Sequence, residues 1–432
     1  MVDRSDVVVV GGGVMGACLA LHLLEAGVRD VRLLERDGLF QGTSGAGGGF
    51  LAPWTTISPL HGAESEALPL ERYALDFYRG LHESGYDIDY RRNGVLWIAA
   101  SEAAWDQTQE LMWLAADPDS VPVEPRRLPE LTGGVVSAAG VHGAQLMPCG
   151  AQVTTIKVAK ALEDRITKLG GIVDTRRPVT EIRVSGGRVT GVATPSGPVD
   201  APVVVTAAGA WNNELLQPLG LFLPTVPQVT SRITTEPLGL PETLPVMMLQ
   251  GLKPDEPGGG TVLWVRWHDG GLLWGGMYMT YPRNILVGAP VPDRLDELPT
   301  DGVLENLRVA EAAAFLPALS GKASISVKHG APCYTPDDKA LVGPMPQVDG
   351  LYVMGGDNEL GVTHAPGLGK ALADTIAHGR SDLADLAPWR PDRFGDRFPD
   401  QAATFVAVAE SVGMLLIGDE YQPAASSGQG SA

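Results

Sequence analysis

Four consecutive valines, residues 7–10, open the chain with a run that is apolar at every position. A run without polar alternation predicts a strand buried on both faces, as in a parallel sheet. Apolar residues at helical spacing follow over 14–26, with Gly27 as the stop signal. A second apolar strand is predicted over 31–35, which completes a βαβ unit in about 30 residues. The same change of period returns later. A helix is predicted over 154–169, ending at Gly170 and Gly171, and a strand begins at Ile172 and continues through 179–184. Gly186 and Gly187 predict a hairpin turn into a strand over 188–194. Residues 203–207 predict a buried strand running into Ala208, Gly209, Ala210 and Trp211. A last strand over 351–354 meets Gly355 and Gly356, with a helix predicted over 366–377 behind it. The segments between these blocks are rich in Pro, Trp and β-type residues and predict an antiparallel sheet.

The expected fold class is α/β. A Rossmann-like nucleotide-binding domain is expected from 1–85, 150–222 and 328–390, with an α+β antiparallel-sheet substrate domain inserted as 86–149 and 223–327. Residues 391–432 form a C-terminal extension, with a helix over 402–416 and a Ser/Gly/Ala/Gln tail from 422 that reads as disordered. A chain of 432 residues is too long for one core and suits two packed domains. Its formal charge of −19 disfavours nucleic acid and anionic membrane surfaces as partners. No apolar run reaches the roughly 18 residues of a membrane span. Glycines interrupt the N-terminal apolar stretch, which therefore does not read as a signal peptide. Cys18, Cys149 and Cys333 have neither disulfide nor zinc-site spacing, and no metal site is expected. Reduced thiols imply a cytoplasmic protein. Assembly into a homo-oligomer is left open.

The chemistry begins at the first glycines. Gly11, Gly13 and Gly16 follow a strand and open a helix, with Val14 and Met15 in its first turn, and Glu35 closes the next strand. Together these make a dinucleotide site: the glycines permit a tight turn and close approach of a pyrophosphate, the helix N-terminus offers N–H donors, and the acid accepts from a ribose hydroxyl. A second loop of small residues, 41–49, includes Thr43, Ser44, Gly48 and Gly49 and runs straight into Phe50, Leu51 and Trp54. Such a loop lets backbone approach a long, extended cofactor. FAD therefore fits better than a nicotinamide cofactor.

On these residues the chain resembles the glycine oxidase and sarcosine oxidase branch of the D-amino-acid oxidase superfamily over residues 6–389. Three stretches carry the likeness: 7–52, 203–211, and the pair 329–343 with 355–369. The resemblance implies bound FAD and oxidation of an amine or amino acid at the carbon next to nitrogen. The resulting imine hydrolyses, and electrons pass to O2 with release of hydrogen peroxide. By the same resemblance Gly361, Val362 and Thr363 meet the flavin's pyrimidine edge, with Asn358 beside them. Val179 contacts adenine, and Arg36 lies along the adenosine. Ala208, Gly209 and Trp211 border the pyrophosphate, and Thr43 and Ser44 hold pyrophosphate and ribityl oxygens. The flavin supplies the redox chemistry, so no catalytic dyad is demanded, and none is visible. His329, Asn358 and Glu359 are the candidates for catalytic groups.

Departures from the family pattern bear on the substrate. The arginine that grips a substrate carboxylate is replaced by Pro332, and an arginine in the next flavin-side loop by Glu359. The assisting tyrosine is replaced by Leu263, and residues 270–274 lack the lysine that promotes reaction with oxygen. Two carboxylates in contact repel by on the order of a few kcal/mol. Glu359 is therefore expected to meet a donor or cation, or to pair with Arg266 or Arg283. Phe50, Leu263, Arg266, Pro332, Cys333, Tyr334 and Glu359 are the expected substrate contacts, with Trp54, Trp264, Trp267 and Trp274 as further walls of an apolar cavity. Cys333 lies near the position of a covalent flavin link, but its register is off and non-covalent FAD is expected. The partners implied are a small amine, secondary or substituted, and O2. Two alternatives remain: a dehydrogenase that passes electrons to a quinone or a protein, and a homologue that keeps FAD without turnover. No second GxGxxG supports a monooxygenase.

Overall fold

A computed structural model describes residues 3–53, 66–114, 119–252, 262–276, 291–303, 312–320 and 324–411. Trp54, Arg283, the end of the helix expected over 402–416 and the tail from 422 lie outside the described residues.

The four valines form the strand Val7–Val10, no more than 5% exposed anywhere. It lies inside a six-stranded sheet, flanked in parallel by Val31–Leu34 on one side and Val203–Thr206 on the other. Ile172–Asp174 extends the sheet beyond Val31–Leu34, and Leu351–Gly355 beyond Val203–Thr206. Leu341–Pro344 closes the far edge antiparallel. The hairpin at Gly186 and Gly187 forms with both residues left-handed, φ 60° and 76°, and joins Glu181–Ser185 to Arg188–Ala193 in a separate four-stranded sheet. The strand expected over 179–184 starts only at Glu181, which leaves Val179 in the preceding connection.

The second large sheet has eight strands, in the order Ser324–Gly330, Thr230–Thr235, Gly271–Gly276, Leu263–His268, Val246–Gln250, Val95–Ala99, Gly143–Met147 and Val121–Val123. It is antiparallel except where Val246–Gln250 runs parallel to Val95–Ala99. That junction joins two separate excursions of the chain, and no hairpin there dictates direction. The division expected at 327/328 falls inside the strand Ser324–Gly330, which belongs wholly to this sheet.

The last helix differs from its expected span. It runs Gly361–His378, with Pro366 inside rather than at its start. Proline has no N–H for the carbonyl four residues earlier. That carbonyl, Val362 O, accepts instead from the hydroxyl of the fully buried Tyr78 at 2.8 Å. The added turn carries Gly361, Val362 and Thr363. Small residues let this helix pack closely: a Cβ on Gly369 would stand 3.1 Å from Leu19 N in the helix Val14–Glu25, and one on Gly367 would stand 2.6 Å from Leu70 O in the helix Leu68–Glu83.

Tyr78→Phe should therefore leave a buried carbonyl unsatisfied and cost about 1–3 kcal/mol of stability. Pro366→Ala restores the missing donor and should recover much of that loss in the double variant. Chemical denaturation of the four proteins measures the coupling; additive effects would refute this account of the helix start.

Candidate active site

A long cleft opens at the carboxyl ends of the central strands, where α/β sheets place their ligands. Val10, Leu34, Ala207 and Gly355 form its floor. Gly11 is left-handed, φ 108°, and a Cβ there would stand 2.5 Å from Ala207 O. A Cβ on Gly16 would collide with the Gly11 carbonyl. Gly13 is different: a Cβ there would meet only Ser44 Oγ, at 3.2 Å, so this position faces the cleft. Val14 and Met15 line the cleft beside it at the N-terminus of the first helix.

Glu35 takes a fixed position. Its Oε2 accepts from Gly12 N at 2.6 Å and its Oε1 from Asp37 N at 2.8 Å. A carboxylate has about four lone-pair sites, so capacity remains for a ribose hydroxyl. Arg36 lies over the Trp211 ring at 4.1 Å and donates to the Asp293 carbonyl. Arg36, Trp211 and Val179 line one end of the cleft, together with residues of the segment Asp293, Arg294, Leu295 and Asp296. Ala208 and Gly209 line the middle, in a turn held by Asn212, whose Oδ1 accepts from Ala208 N at 2.8 Å and Thr206 Oγ1 at 2.7 Å.

The hydroxyls of Thr43 and Ser44 are already engaged. Ser44 Oγ accepts from Val14 N at 2.9 Å, and Thr43 Oγ1 from Ala331 N at 2.9 Å. They staple three segments together, and each keeps its own O–H to donate toward a phosphate. Gly48 and Gly49 lie away from the cleft lining, with Gly48 O taking the Arg266 Nε donor.

At the other end the cleft is lined by His329, Ala331, Cys333, Gly356 and Asp357. Here the structure shows how several of the expected site residues are held. Asn358 is fixed by hydrogen bonds. Its Oδ1 accepts from Thr335 N at 2.9 Å, its Nδ2 donates to Gly356 O at 2.8 Å, and its N–H donates to Cys333 O at 3.0 Å. Asn358 and Glu359 are both left-handed, φ 48° and 67°, which bends the chain sharply into the last helix. The Asp357 carboxyl lies beside the start of that helix: a Cβ on Gly361 would stand 2.5 Å from Asp357 Oδ2. Thr363 N donates to Leu360 O at 3.0 Å. None of Gly361, Val362, Thr363 and Glu359 lines the cleft. His329 is buried and held between Ser231 Oγ, at 2.9 Å, and the Leu298 and Pro299 backbone. Burial lowers its pKa, so at neutral pH it stays uncharged and structurally engaged.

Strand alternation settles another expectation. Leu263 and Arg266 are three residues apart on one strand, so they point to opposite faces of the sheet. Leu263 is fully buried with Val265, Trp267 and Trp274 in a core on the far face. Trp264 and Arg266 share the near face, where Trp264 packs 5.3 Å from Phe50. Trp97, Met248, Leu273 and Leu360 complete that apolar near-face cluster. Pro332 and Tyr334 are buried and do not line the cleft. Lys328 was missed in the sequence. It lies on the strand Ser324–Gly330, is half-buried in the cleft wall, and has its pKa lowered by burial and by Arg232. Its spacing of two from Gly330 was the available signal.

The cleft fits FAD: a glycine position open to it, a helix N-terminus, an acid at one end, and at the other a wall of small residues with Lys328, His329 and Asp357. When bound, FAD supplies the hydride-accepting group. Among the described residues there is no cluster suited to a metal ion.

The FAD dependent oxidoreductase (DAO) family profile matches residues 6–375. The chain is 32% identical to a glycine oxidase of Pseudomonas aeruginosa over 398 residues, covering 89% of this chain and 98% of that protein. It is 28% identical to the mitochondrial dimethylglycine dehydrogenase of Homo sapiens, but spans only 45% of that longer protein. Its fold matches the crystal structure of L-proline dehydrogenase from P. horikoshii with a TM-score of 0.77, at 18% identity, covering 91% of this chain and 98% of that one.

Gly13→Val should crowd Ser44 and the open trough, and Glu35→Ala should remove both a ribose acceptor and two internal contacts. Each should weaken FAD binding by about tenfold or more, a loss of roughly 1–3 kcal/mol, with the far-UV circular dichroism unchanged. Full flavin content in both purified variants would overturn the site.

Burial, reinforced by the neighbouring Asp357 charge, pushes the Cys333 thiol well above its ordinary pKa. A thiol held protonated is a poor nucleophile. Acid precipitation should therefore release all the flavin into the supernatant; yellow colour left in the pellet, and absent from Cys333→Ala, would show a covalent link.

Proposed function

The chain belongs to the FAD dependent oxidoreductase (DAO) family, and from that membership we propose that it oxidises a secondary or substituted amine, larger than glycine or sarcosine, and passes the electrons to O2 with release of hydrogen peroxide. It is an FAD-dependent amine or amino-acid oxidoreductase related to glycine oxidase. The single observation that carries the finer reading is the near face of the eight-stranded sheet. Phe50 and Trp264 pack there with Trp97, Met248, Leu273 and Leu360. Leu263 faces the far-side core, and neither Pro332 nor Glu359 lines the cleft, so none of the three offers a grip for a carboxylate there. A substrate that buries an apolar substituent against the near-face cluster is favoured over glycine, which has none.

Lys328, half-buried at the cleft wall, supports the oxygen reading, because positive charge there favours the negative charge that develops on oxygen. A second reading, electron transfer to a quinone or protein, is favoured by the absence of a lysine from residues 270–274. No helix among the described residues is long and apolar enough to cross a membrane. The spacing of the three cysteines, which suits neither a disulfide framework nor a zinc site, supports a cytoplasmic location.

The test compares kcat/KM for glycine, sarcosine and N-alkyl amino acids, following O2 uptake and peroxide together. N-alkyl substrates should exceed glycine by about 100-fold or more, with one peroxide per O2 consumed. Efficient glycine turnover refutes the substrate reading. Anaerobic bleaching that persists after air is admitted refutes the oxidase reading and leaves the dehydrogenase.

A further inference from the structure

The near face of the eight-stranded sheet also carries positive charge. In the register of the strands, Arg232 lies beside Lys328 on one side and Gly275 on the other. Gly275 lies beside Trp264, and Leu273 beside Arg266. Alternation therefore places Arg232, Arg266 and Lys328 on one face together with the Phe50 and Trp264 rings. A Cβ on Gly275 would stand 2.6 Å from Trp264 Cζ2, so the indole covers the position next to Arg232.

These cations lack matching anions. Arg266 is 1% exposed. Its Nε donates to the Gly48 carbonyl and its Nη1 to Trp267 O at 2.9 Å, but its Nη2 has no partner among the described residues. Burial, and then the Arg232 charge, pull its pKa down to about 9, still high enough to keep it charged at neutral pH. Arg232 is half-buried and makes no hydrogen bond or ion pair among the described residues; burial lowers its pKa too. Taking a guanidinium out of water without a partner costs several kcal/mol. Facing charges of the same sign add to that cost. An anion that docks here recovers both terms.

The source of that anion follows from where the groups stand. Lys328 lines the nucleotide cleft, whereas Arg232 and Arg266 do not. Arg232 thus shares its sheet face with the apolar cluster and lies outside the lining of the nucleotide cleft. We propose that Arg232, with Arg266 behind it, is the subsite for the carboxylate of the amine substrate, replacing the arginine absent at Pro332. The proposal rests on the amine-oxidation reading and narrows it: the substrate is an N-substituted amino acid, its carboxylate at Arg232 and its apolar substituent against Phe50 and Trp264. Arg232 binds the substrate; Arg266 positions the Gly48 loop and adds its charge from below.

The experiment uses the FAD-loaded protein, Arg232→Met and Arg232→Lys. In the first arm, benzoate and neutral benzyl alcohol are titrated while the flavin absorbance is followed. Benzoate should bind at least tenfold more weakly to Arg232→Met and regain part of that loss in Arg232→Lys, with benzyl alcohol unchanged. In the second arm, anaerobic flavin reduction is measured with N-benzylglycine and its methyl ester. The unmodified protein should prefer the acid by at least tenfold, through KM rather than the limiting rate, and Arg232→Met should lose that preference. Equal benzoate binding in all three proteins, no benzoate binding at all, or retained discrimination in Arg232→Met overturns the proposal. Loss of FAD from both variants in step with benzoate assigns Arg232 to the cofactor instead and also overturns it. If benzoate binds through Arg232 but neither amine reduces the flavin, the anion subsite stands and the amine-oxidation reading falls.

Discussion

The structure depends on one close approach, that of the first helix to the strand before it. A Cβ at Gly16 would collide with the Gly11 carbonyl, and only glycine permits the distance. Because the helix sits that close, its N-terminal N–H groups face the cleft at the end of Val7–Val10. Ser44 then reaches Val14 N, and Glu35 reaches Gly12 N. The last helix packs on the outside of the same helix through Gly369. A single steric constraint thus sets the nucleotide cleft, the second loop and the helix that ends the site.

The far end of the site is set by polar groups rather than by packing. Asn358 joins the segment at Cys333 and Thr335 to the turn at Gly356, and Tyr78 satisfies the carbonyl that Pro366 leaves open. Each of these bonds is modest on its own, about 0.5–1.5 kcal/mol net. Their effect is geometric: they hold two successive left-handed residues, Asn358 and Glu359, in a conformation that costs on the order of 1–3 kcal/mol per residue. The strain is borne by an asparagine, which tolerates it, and by a glutamate, which does not readily.

Much of this was legible in the chain. The βαβ unit was readable because its signals reinforce one another: an unbroken valine run, glycines at fixed offsets, and an acid at the end of the next strand. What escaped has identifiable causes. Pro366 reads as a helix start until a distant hydroxyl supplies the missing partner, and Tyr78 is 284 residues from Val362. Leu263 and Arg266 were both expected at the substrate, although a separation of three on a strand excludes it. Asn358 and His329 stand out in the sequence because they are polar and near the cofactor segment; the hydrogen bonds that hold them within the protein are not given by pattern alone. Lys328 was overlooked because a resemblance directs attention to one strand while the side chain arrives from another.

Charge shows the same separation of scales. The chain as a whole is strongly acidic, at −19, and from a distance it repels an anionic substrate. That repulsion fades over roughly 8 Å at physiological ionic strength. Inside, Arg232, Arg266 and Lys328 share one sheet face where water is scarce and the effective dielectric is lower, so their attraction for an anion exceeds the screened repulsion outside. The acidic surface lowers the rate of encounter; the buried cations hold what arrives. Net charge therefore carries little information about the substrate's sign, whereas the strand register, which brings Arg232 beside Lys328 and the Trp264 ring beside Arg232, carries a good deal.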